Sequence, residues 1–268
     1  MNGPVNTRLR CSHRTVFISD MHLGSSHCHA EALAEFLQEL RCDQLYLVGD
    51  VFDLHWLSER RVTWTSAQTD VIDAIRALAA QGTQVTYIPG NHDWALRRFC
   101  GLALPGITIR RRAIHRTADG RKFLITHGDE FDAAVRHGGA REWLGEWLYY
   151  RILSGNRIAN RWRRRRGQSY WSLASFLKRQ SSSAERYIER FRQAVVHEAK
   201  RRGLDGVVCG HIHRPDLRQI DGIWYINDGD WVESLSAVTE SHSGELKLLY
   251  CHRQPAPALP SPLTAELA

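Results

Sequence analysis

Five short clusters of polar side chains contain residues whose types and spacing could do chemistry. Imidazole, carboxylate and amide groups of the kind found in these clusters can bind a metal ion, move a proton or form hydrogen bonds. Each cluster alone is typical of an ordinary polar turn, but all five begin where an apolar run ends. The clusters are Asp20-Met21-His22, Gly49-Asp50, Gly90-Asn91-His92-Asp93, His127-Gly128-Asp129 and Gly210-His211-Ile212-His213.

The apolar runs before the first three clusters predict buried β-strands. They cover residues 15–19, 45–48 and 85–88, and they are short and rich in β-branched and aromatic residues. Two segments between them, 30–41 and 66–82, carry apolar residues at helical spacing. This alternation predicts parallel strands joined by crossover helices. Because the carboxyl ends of such strands line one crevice, we expect the clusters to meet there.

The second half of the chain predicts a different kind of pairing. Turn signals at 117–121, 218–222 and 241–245 separate most of its apolar runs, which favours antiparallel or mixed pairing. The predicted strands are 107–110, 122–126, 206–210, 223–227, 234–238 and 245–250.

We expect one domain over residues 15–250. A tail over 1–14 precedes it, and a flexible proline-rich tail over 251–268 follows it. Amphipathic patterns predict a helical insertion at about 141–202.

The clusters contain enough ligands for two metal ions. One tetrahedral zinc needs only three or four ligands, whereas two ions about 3.5 to 4 Å apart can share a carboxylate. Asp50 is the predicted bridge, because its cluster has a carboxylate and no histidine. Mixed nitrogen and oxygen donors favour Mn, Fe, Zn or Co over Ca or Mg. The predicted ligands are Asp20, His22, Asp50, Asn91, His127, His211 and His213.

Such a centre suits the hydrolysis of a phosphoester. Two metal ions lower the pKa of a bridging water and stabilise both the attacking and the leaving oxygen of an in-line displacement. His92 is the predicted proton donor to the leaving group, and Asp93 is predicted to fix its tautomer. Asp129 and Asp132 are candidates to support His127.

The motifs DMH, GD, GNHD, HGD and GHIH, in this order, resemble those of the calcineurin-like metallophosphoesterases over roughly residues 15–240. The resemblance implies an α/β fold, an αββα sandwich with two mixed β-sheets and a helical cap insertion. It implies that one metal lies among Asp20, His22, Asp50 and His213, and the other among Asp50, Asn91, His127 and His211. His92 would be the proton donor.

Within that superfamily, the stretches VGDVFDLHW, HGDEFD, VCGHIHRP and NDGDWVESLSA are similar to the UDP-2,3-diacylglucosamine hydrolase branch. This resemblance implies manganese-dependent cleavage of the pyrophosphate of UDP-2,3-diacylglucosamine in lipid A synthesis. UMP would be released at the inner face of the cytoplasmic membrane, and the cap would hold the acyl chains.

Two alternatives to the lipid nucleotide stay open. The best-known members of the branch resemble GNRD at the third cluster, where this chain has His92. Histidine there is typical of general phosphoesterases, which act on nucleotides, cyclic nucleotides or sugar phosphates. A non-catalytic binding scaffold on the same fold is the alternative from another class. Such a scaffold should have lost ligands, and this chain keeps all seven.

Composition places the chain among soluble globular proteins and excludes several classes. Of its 268 residues, 43 % are hydrophobic and 24 % charged. The six cysteines form no C-x-x-C pair, which excludes a zinc finger or a thioredoxin motif and favours free thiols in a reducing compartment. We expect neither a signal peptide nor a membrane span, and therefore a cytoplasmic protein.

The positive charge is concentrated in one segment. Residues 141–202 hold 16 of the 36 Lys and Arg residues but only 5 of the 29 Asp and Glu residues. Trp143, Trp147, Trp162, Trp171 and the run from Arg163 to Arg166 lie there. These residues suit peripheral contact with an anionic membrane or lipid head group, or else a solvated helix whose tryptophans pack on the core. The local charge, without a nucleic-acid motif, argues against nucleic acid as a partner.

Overall fold

A computed structural model describes residues 12–54, 64–132 and 182–251, with only the helical backbone described at 182–184. The helices are α1 (Ala30–Glu39), α2 (Ser66–Ala80) and α3 (Ser182–Arg201), with 3-10 turns at Trp94–Phe99 and Asp129–Phe131. The strands are β1 (His13–Ile18), β2 (Cys42–Leu47), β3 (Gln84–Tyr87), β4 (Ala103–Leu104), β5 (Ile107–Ile109), β6 (Ala113–Arg116), β7 (Lys122–Ile125), β8 (Gly206–Cys209), β9 (Asp216–Ile220), β10 (Ile223–Asn227), β11 (Ser236–Glu240) and β12 (Leu246–Tyr250).

The strands form two mixed β-sheets. The first has the order β12-β11-β1-β2-β3-β5-β4, and the second has the order β6-β7-β8-β10-β9. Strands β1, β2, β3 and β5 are parallel, and β11 and β12 extend their sheet antiparallel. In the second sheet β7, β8 and β10 are parallel, between antiparallel edge strands β6 and β9. The predicted parallel first half and mixed second half are therefore confirmed.

Three apolar clusters hold the layers together and establish the αββα order. One packs α1 and α2 against the first sheet, through residues such as Leu33, Val71 and Leu45. A second packs α3 against the second sheet, with Phe191 and Val207 at its centre. The third lies between the sheets and joins side chains of both. The predicted sandwich is confirmed for the residues described.

Several element boundaries differ from the prediction. Strand β1 begins at His13, inside the predicted tail, because His13 pairs with Cys42 of β2. Strands β6 and β9 carry few apolar residues and lie at sheet edges, so their sequences resemble loops. The turn predicted at 218–222 is confined to Asp221 and Gly222, both with positive φ.

Part of the predicted insertion lies outside the described residues. These include all four of its tryptophans and Arg163 to Arg166, whereas α3 covers its last part. Among the helices that the structure describes, none combines the length and apolar character needed to cross a bilayer.

A buried polar cluster ties the two sheets together. Glu240 of β11 is fully buried and accepts hydrogen bonds from Arg14 of β1 at 2.8 and 2.9 Å. Its Oε2 also lies 2.7 Å from Nε2 of His115 on β6, across the interface between the sheets. His115 is buried edge-on against Phe17 and Tyr46. Period-two alternation explains this, because its neighbours on β6 face outward.

We expect Glu240→Gln to lower the free energy of unfolding by about 2 kcal/mol, since it leaves the half-buried Arg14 guanidinium without its anion. Burial raises the pKa of Glu240, but hydrogen bonds from the His115 ring and from the backbone N–H of Ala118 hold that pKa below its ordinary value. The stabilisation is therefore present above the ordinary glutamate pKa, and it is lost as pH falls through the lower folded value. Urea unfolding at neutral and acid pH measures this, with a smaller difference expected at acid pH.

The matched control is Glu245→Gln, which removes an exposed pair with Lys247 at 2.8 Å. Exposed pairs of this kind contribute about 0 to 1 kcal/mol. Equal destabilisation by the two variants would show that the cluster between the sheets has no special role.

Candidate metal centre

Backbone strain is concentrated at the predicted ligands. Among the residues described, seven that are not glycine have positive φ, and five of these are Asp20, His22, Asp50, His211 and His213. A side-chain-bearing residue in this conformation costs about 1 to 3 kcal/mol, and such residues cluster at functional sites. The strain lets the chain turn sharply where each strand ends, so that ligands from different strands reach one crevice.

Hydrogen bonds between neighbouring turns hold the strained residues in place. The N–H groups of Asp20 and His22 donate to the carbonyls of Gly49 and Asp50 at 3.0 and 2.9 Å. Two glycines are required by close approach to the ligands. A Cβ at Gly49 would lie 2.2 Å from Nδ1 of His127, and one at Gly90 would lie 2.2 Å from Oδ1 of Asp50.

The first group of potential ligands consists of Asp20, His22 and His213. Oδ1 of Asp20 lies 3.0 Å from Nε2 of His213 and 3.9 Å from Nε2 of His22. The two imidazole nitrogens are 3.4 Å apart. Within the described part of the chain, Oδ1 of Asp20 is buried without a hydrogen-bond partner. A buried carboxylate oxygen that faces two imidazole nitrogens fits a divalent cation.

The second group consists of Asp50, Asn91 and His127. Nε2 of His127 lies 3.2 Å from both Oδ2 of Asp50 and Oδ1 of Asn91. Nδ1 of the same ring lies 2.8 Å from the carbonyl oxygen of Val48, which accepts its proton. That hydrogen bond fixes the tautomer and leaves Nε2 as the nitrogen that can bind a metal.

The two groups adjoin through the carboxylates. Asp50 lies with Asp20 and His127 in one set whose ligand atoms are within 4.8 Å of one another, and with His22 and His92 in another. Asp50 therefore lies between histidines of both groups, where the predicted bridge has to be. Asp20 also belongs to two such sets, so a bridging role is open to its carboxylate as well.

His211 lies beside the second group but turns Nε2 away from it. That nitrogen is 2.8 Å from Oδ1 of Asp132, while the ring centroid is 5.2 Å from that of His127. Nδ1 is therefore the nitrogen left for a metal. Asp132 therefore supports His211, whereas the sequence predicted that it would support His127. Asp129, the other candidate to support His127, accepts two hydrogen bonds from Arg97 at 2.6 and 2.8 Å.

The carboxylate beside His92 is that of Asp53. The prediction that Asp93 pairs with His92 is therefore wrong. Nδ1 of His92 lies 3.3 Å from Oδ1 of Asp53. The Asp93 carboxylate accepts the N–H groups of Gly90 and Val51 at 2.5 and 2.9 Å, and it also accepts the Tyr87 hydroxyl. Asp93 points back into its own turn and holds the turn's shape.

Asp53 is the residue of the site that sequence reasoning missed. It is fully buried, and its other oxygen lies 3.4 Å from Nδ1 of His22. One carboxylate thus touches both a predicted ligand and the predicted proton donor. Its position three residues after Asp50, in the same strand-end turn, was the available signal.

The electrostatics of the cluster favour positive charge. Burial alone raises the pKa values of Asp20 and Asp50, yet His213 and His127 respectively hold those pKa values well below the ordinary range. Burial lowers the pKa of His22, but Asp53, Asp50 and Asp20 together raise it to about 9. The carboxylates are thus ionised and closely spaced in a buried site, which is the condition that a bound cation relieves.

Comparison with known proteins places the chain in a family. The family model described as calcineurin-like phosphoesterase matches residues 13–215. The UDP-2,3-diacylglucosamine hydrolase of Actinobacillus succinogenes is 30 % identical over 247 residues, which are 84 % of this chain and 94 % of that protein. The enzyme of the same name from Azotobacter vinelandii is 30 % identical over 232 residues, 81 % and 90 % of the two chains.

Among solved structures, an archaeal phosphodiesterase aligns with a TM-score of 0.44 and 15 % identity, over 88 % of this chain and 98 % of that one. The family match itself extends from the start of β1 to the residue before β9 and contains all five polar clusters. The chain therefore belongs to the calcineurin-like phosphoesterase family and is a metal-dependent hydrolase.

Proposed function

We propose that the protein hydrolyses the pyrophosphate bond of UDP-2,3-diacylglucosamine or a related lipid-linked nucleotide and releases UMP. The observation that carries the chemistry is the meeting of two ligand groups around Asp20 and Asp50. The lipid nucleotide is supported by the names of the relatives, which align over most of their length. Release of UMP from this substrate would place the protein in lipid A synthesis.

Two divalent ions fit the residues present, with manganese as the expected metal. Asp20, His22, Asp50 and His213 would hold one ion, and Asp50, Asn91, His127 and His211 would hold the other. Such a pair, when bound, supplies an activated water and stabilises charge on the phosphoryl oxygens.

His92 is the proton donor in this proposal. Its ring packs edge-on against His22 at a centroid distance of 4.7 Å, and its side chain is 22 % exposed. Asp53 lies beside Nδ1, so Nε2 is the nitrogen that can give a proton to the leaving oxygen. Asp93 acts indirectly in this proposal, because its carboxylate fixes the turn that carries Asn91 and His92.

Substrate choice is tested with manganese-loaded protein and UDP-2,3-diacylglucosamine. We expect UMP to appear at a higher kcat/KM than the product of a soluble phosphodiester such as bis(p-nitrophenyl) phosphate. His92, which is typical of general phosphoesterases, favours the second candidate, a phosphodiesterase or phosphatase acting on nucleotides or sugar phosphates. Turnover of soluble substrates without UMP release from the lipid nucleotide would establish that second candidate and exclude the first.

We expect His92→Ala to lower kcat on the lipid nucleotide by about 10² to 10⁴-fold, the usual contribution of a general acid. The same variant should keep wild-type metal content, because His92 is not among the proposed ligands. Asp50→Ala is the matched comparison and should lose metal as well as activity. Metal analysis by mass spectrometry and steady-state kinetics measure both, and an unchanged kcat in His92→Ala would exclude the proton-donor role.

A basic and apolar surface follows the catalytic turn directly. Residues 94–118 include six arginines and no acidic residue. Five large apolar side chains in this stretch are exposed: Trp94 by 67 %, Phe99 and Leu102 by 46 %, Leu104 by 48 % and Ile114 by 52 %. We call this stretch the basic apolar strip. Leu104 and Ile114 line the same cavity of about 380 Å³ between the edges of the two sheets.

Four arginines of the strip are available for an anionic partner. Arg97 pairs with Asp129, and Arg112 pairs with Glu130 and Glu198. The other four, at 98, 110, 111 and 116, form no ion pair in the described part of the chain. Exposed aromatic and aliphatic side chains among unpaired arginines suit the surface of an anionic bilayer. We therefore propose peripheral contact with the inner face of the cytoplasmic membrane through this strip.

Vesicle co-sedimentation tests the membrane contact. The protein should bind vesicles of phosphatidylcholine with phosphatidylglycerol better than vesicles of phosphatidylcholine alone. Replacing both Arg98 and Arg110 by Gln should weaken that binding by roughly 30-fold, since each surface cation contributes about 1 kcal/mol. The control is Arg76→Gln on α2, an exposed arginine outside the strip that pairs with Asp73 at 3.3 Å. Equal binding by all three proteins would exclude the strip as the contact surface.

A further inference from the structure

The loop between β10 and β11, residues 228–235, contains buried carboxyl groups that the proposed reaction does not use. Asp228 and Asp230 are fully buried. Asp230 serves its own loop, because its Oδ1 accepts the N–H groups of Val232 at 2.8 Å and of Glu233. Asp228 differs, since its side chain leaves the loop and reaches the end of β1, where its Oδ1 lies 2.7 Å from Oγ of Ser19.

Ser19 connects Asp228 to the metal centre. Its buried hydroxyl lies 2.5 Å from Oδ2 of Asp20 as well as 2.7 Å from Asp228. Oδ2 of Asp20 also accepts the N–H of His211 at 3.0 Å. The other oxygen of Asp20, Oδ1, faces His213 and His22. The carboxylate is thus held by one oxygen while the other faces the first ligand group.

The hydrogens in this chain of oxygens can be counted. Ser19 has one hydroxyl hydrogen and two carboxyl neighbours, so one carboxyl group has to supply a second hydrogen if both contacts are hydrogen bonds. Burial raises the pKa of Asp228, which favours Asp228 as the donor to Ser19 and Ser19 as the donor to Asp20.

The loop itself is fixed against the same turn. The N–H of Trp231 donates to the carbonyl of Asp20 at 3.0 Å, and the Trp231 side chain is fully buried. On the other side, Nδ2 of Asn227 donates to the carbonyl of Gly210 at 2.6 Å, directly before His211. Asp228 therefore lies between two anchored residues, with little freedom to move away from Ser19.

We propose that Asp228 is a positioning residue for the metal centre. Through Ser19 it fixes the rotation of the Asp20 carboxylate, so that Oδ1 is presented to the ion that His22 and His213 would also hold. This inference rests on the proposed metal centre and goes beyond its ligand set. Partners that orient a ligand in this way typically contribute about 10 to 100-fold to metal affinity.

Isothermal titration of metal-free protein with Mn²⁺ tests the inference without any measurement of turnover. We expect wild type to bind two ions. Ser19→Ala and Asp228→Ala should weaken one of the two by about 10 to 100-fold and leave the other unchanged. Asp228→Asn should stay within about threefold of wild type, because an amide can still donate to or accept from Ser19.

Ser234→Ala is the matched control for Ser19→Ala. Its hydroxyl belongs to the same loop network, through Asp230 and Ser236, but does not contact Asp20. Equal weakening by the two serine variants would mean general loosening of the loop and would overturn the inference. The inference would also be overturned if Ser19→Ala bound two ions with wild-type affinity. It would be overturned as well if Asp228→Asn and Asp228→Ala lost Mn²⁺ affinity equally.

Two further outcomes are distinguishable. Wild-type protein that binds no Mn²⁺ would overturn the proposed metal centre itself. If circular dichroism shows that Asp228→Ala does not fold, the Mn²⁺ affinity of Ser19→Ala decides the inference, because that variant removes only one hydroxyl from the same chain of contacts.

Discussion

Carboxylates and imidazoles crowd together in one buried crevice, and the rest of the structure is organised around that arrangement. Asp20 and Asp50 are almost fully buried and lie near one another, with His127 completing a set of ligand atoms within 4.8 Å. Two ionised carboxylates at such spacing repel each other unless a cation lies between them. The protein therefore has to supply rigid support from outside the crevice, and the binding of metal has to supply the compensating charge.

The support comes from two levels of structure. Hydrogen bonds between neighbouring strand-end turns hold the ligands in left-handed backbone conformations that a side-chain-bearing residue rarely adopts. Around them, a second layer orients individual rings and carboxylates: the Val48 carbonyl on His127, Asp132 on His211 and Asp53 on His22. These partners come from several elements of both sheets, so the centre depends on the sandwich as a whole. The cluster of Arg14, Glu240 and His115 joins those sheets at a distance from the ligands.

The proposed function relates the surface beside the centre to an amphiphilic substrate. The turn that carries Asn91 and His92 continues directly into the basic apolar strip, with exposed Trp94 and Phe99 and with arginines that form no ion pair among the described residues. An enzyme that takes a phosphoester from a bilayer has to bring its metal centre close to the head groups. A surface that combines apolar and cationic side chains next to the catalytic turn would meet that need.

The sequence alone determined the strands and helices of the first half, the set of candidate ligands and the family. It could do so because these features are local: apolar periodicity identifies a buried strand, and a polar cluster at its end belongs to the turn that follows. Edge strands β6 and β9 escaped prediction, since edge positions need few apolar residues. Only the tertiary structure decided that Asp53, and not Asp93, lies beside His92, that Asp132 faces His211, and that Asp228 reaches Ser19. Each of these depends on the direction of a side chain and on contact between turns far apart in sequence, which packing sets and spacing along the chain does not encode.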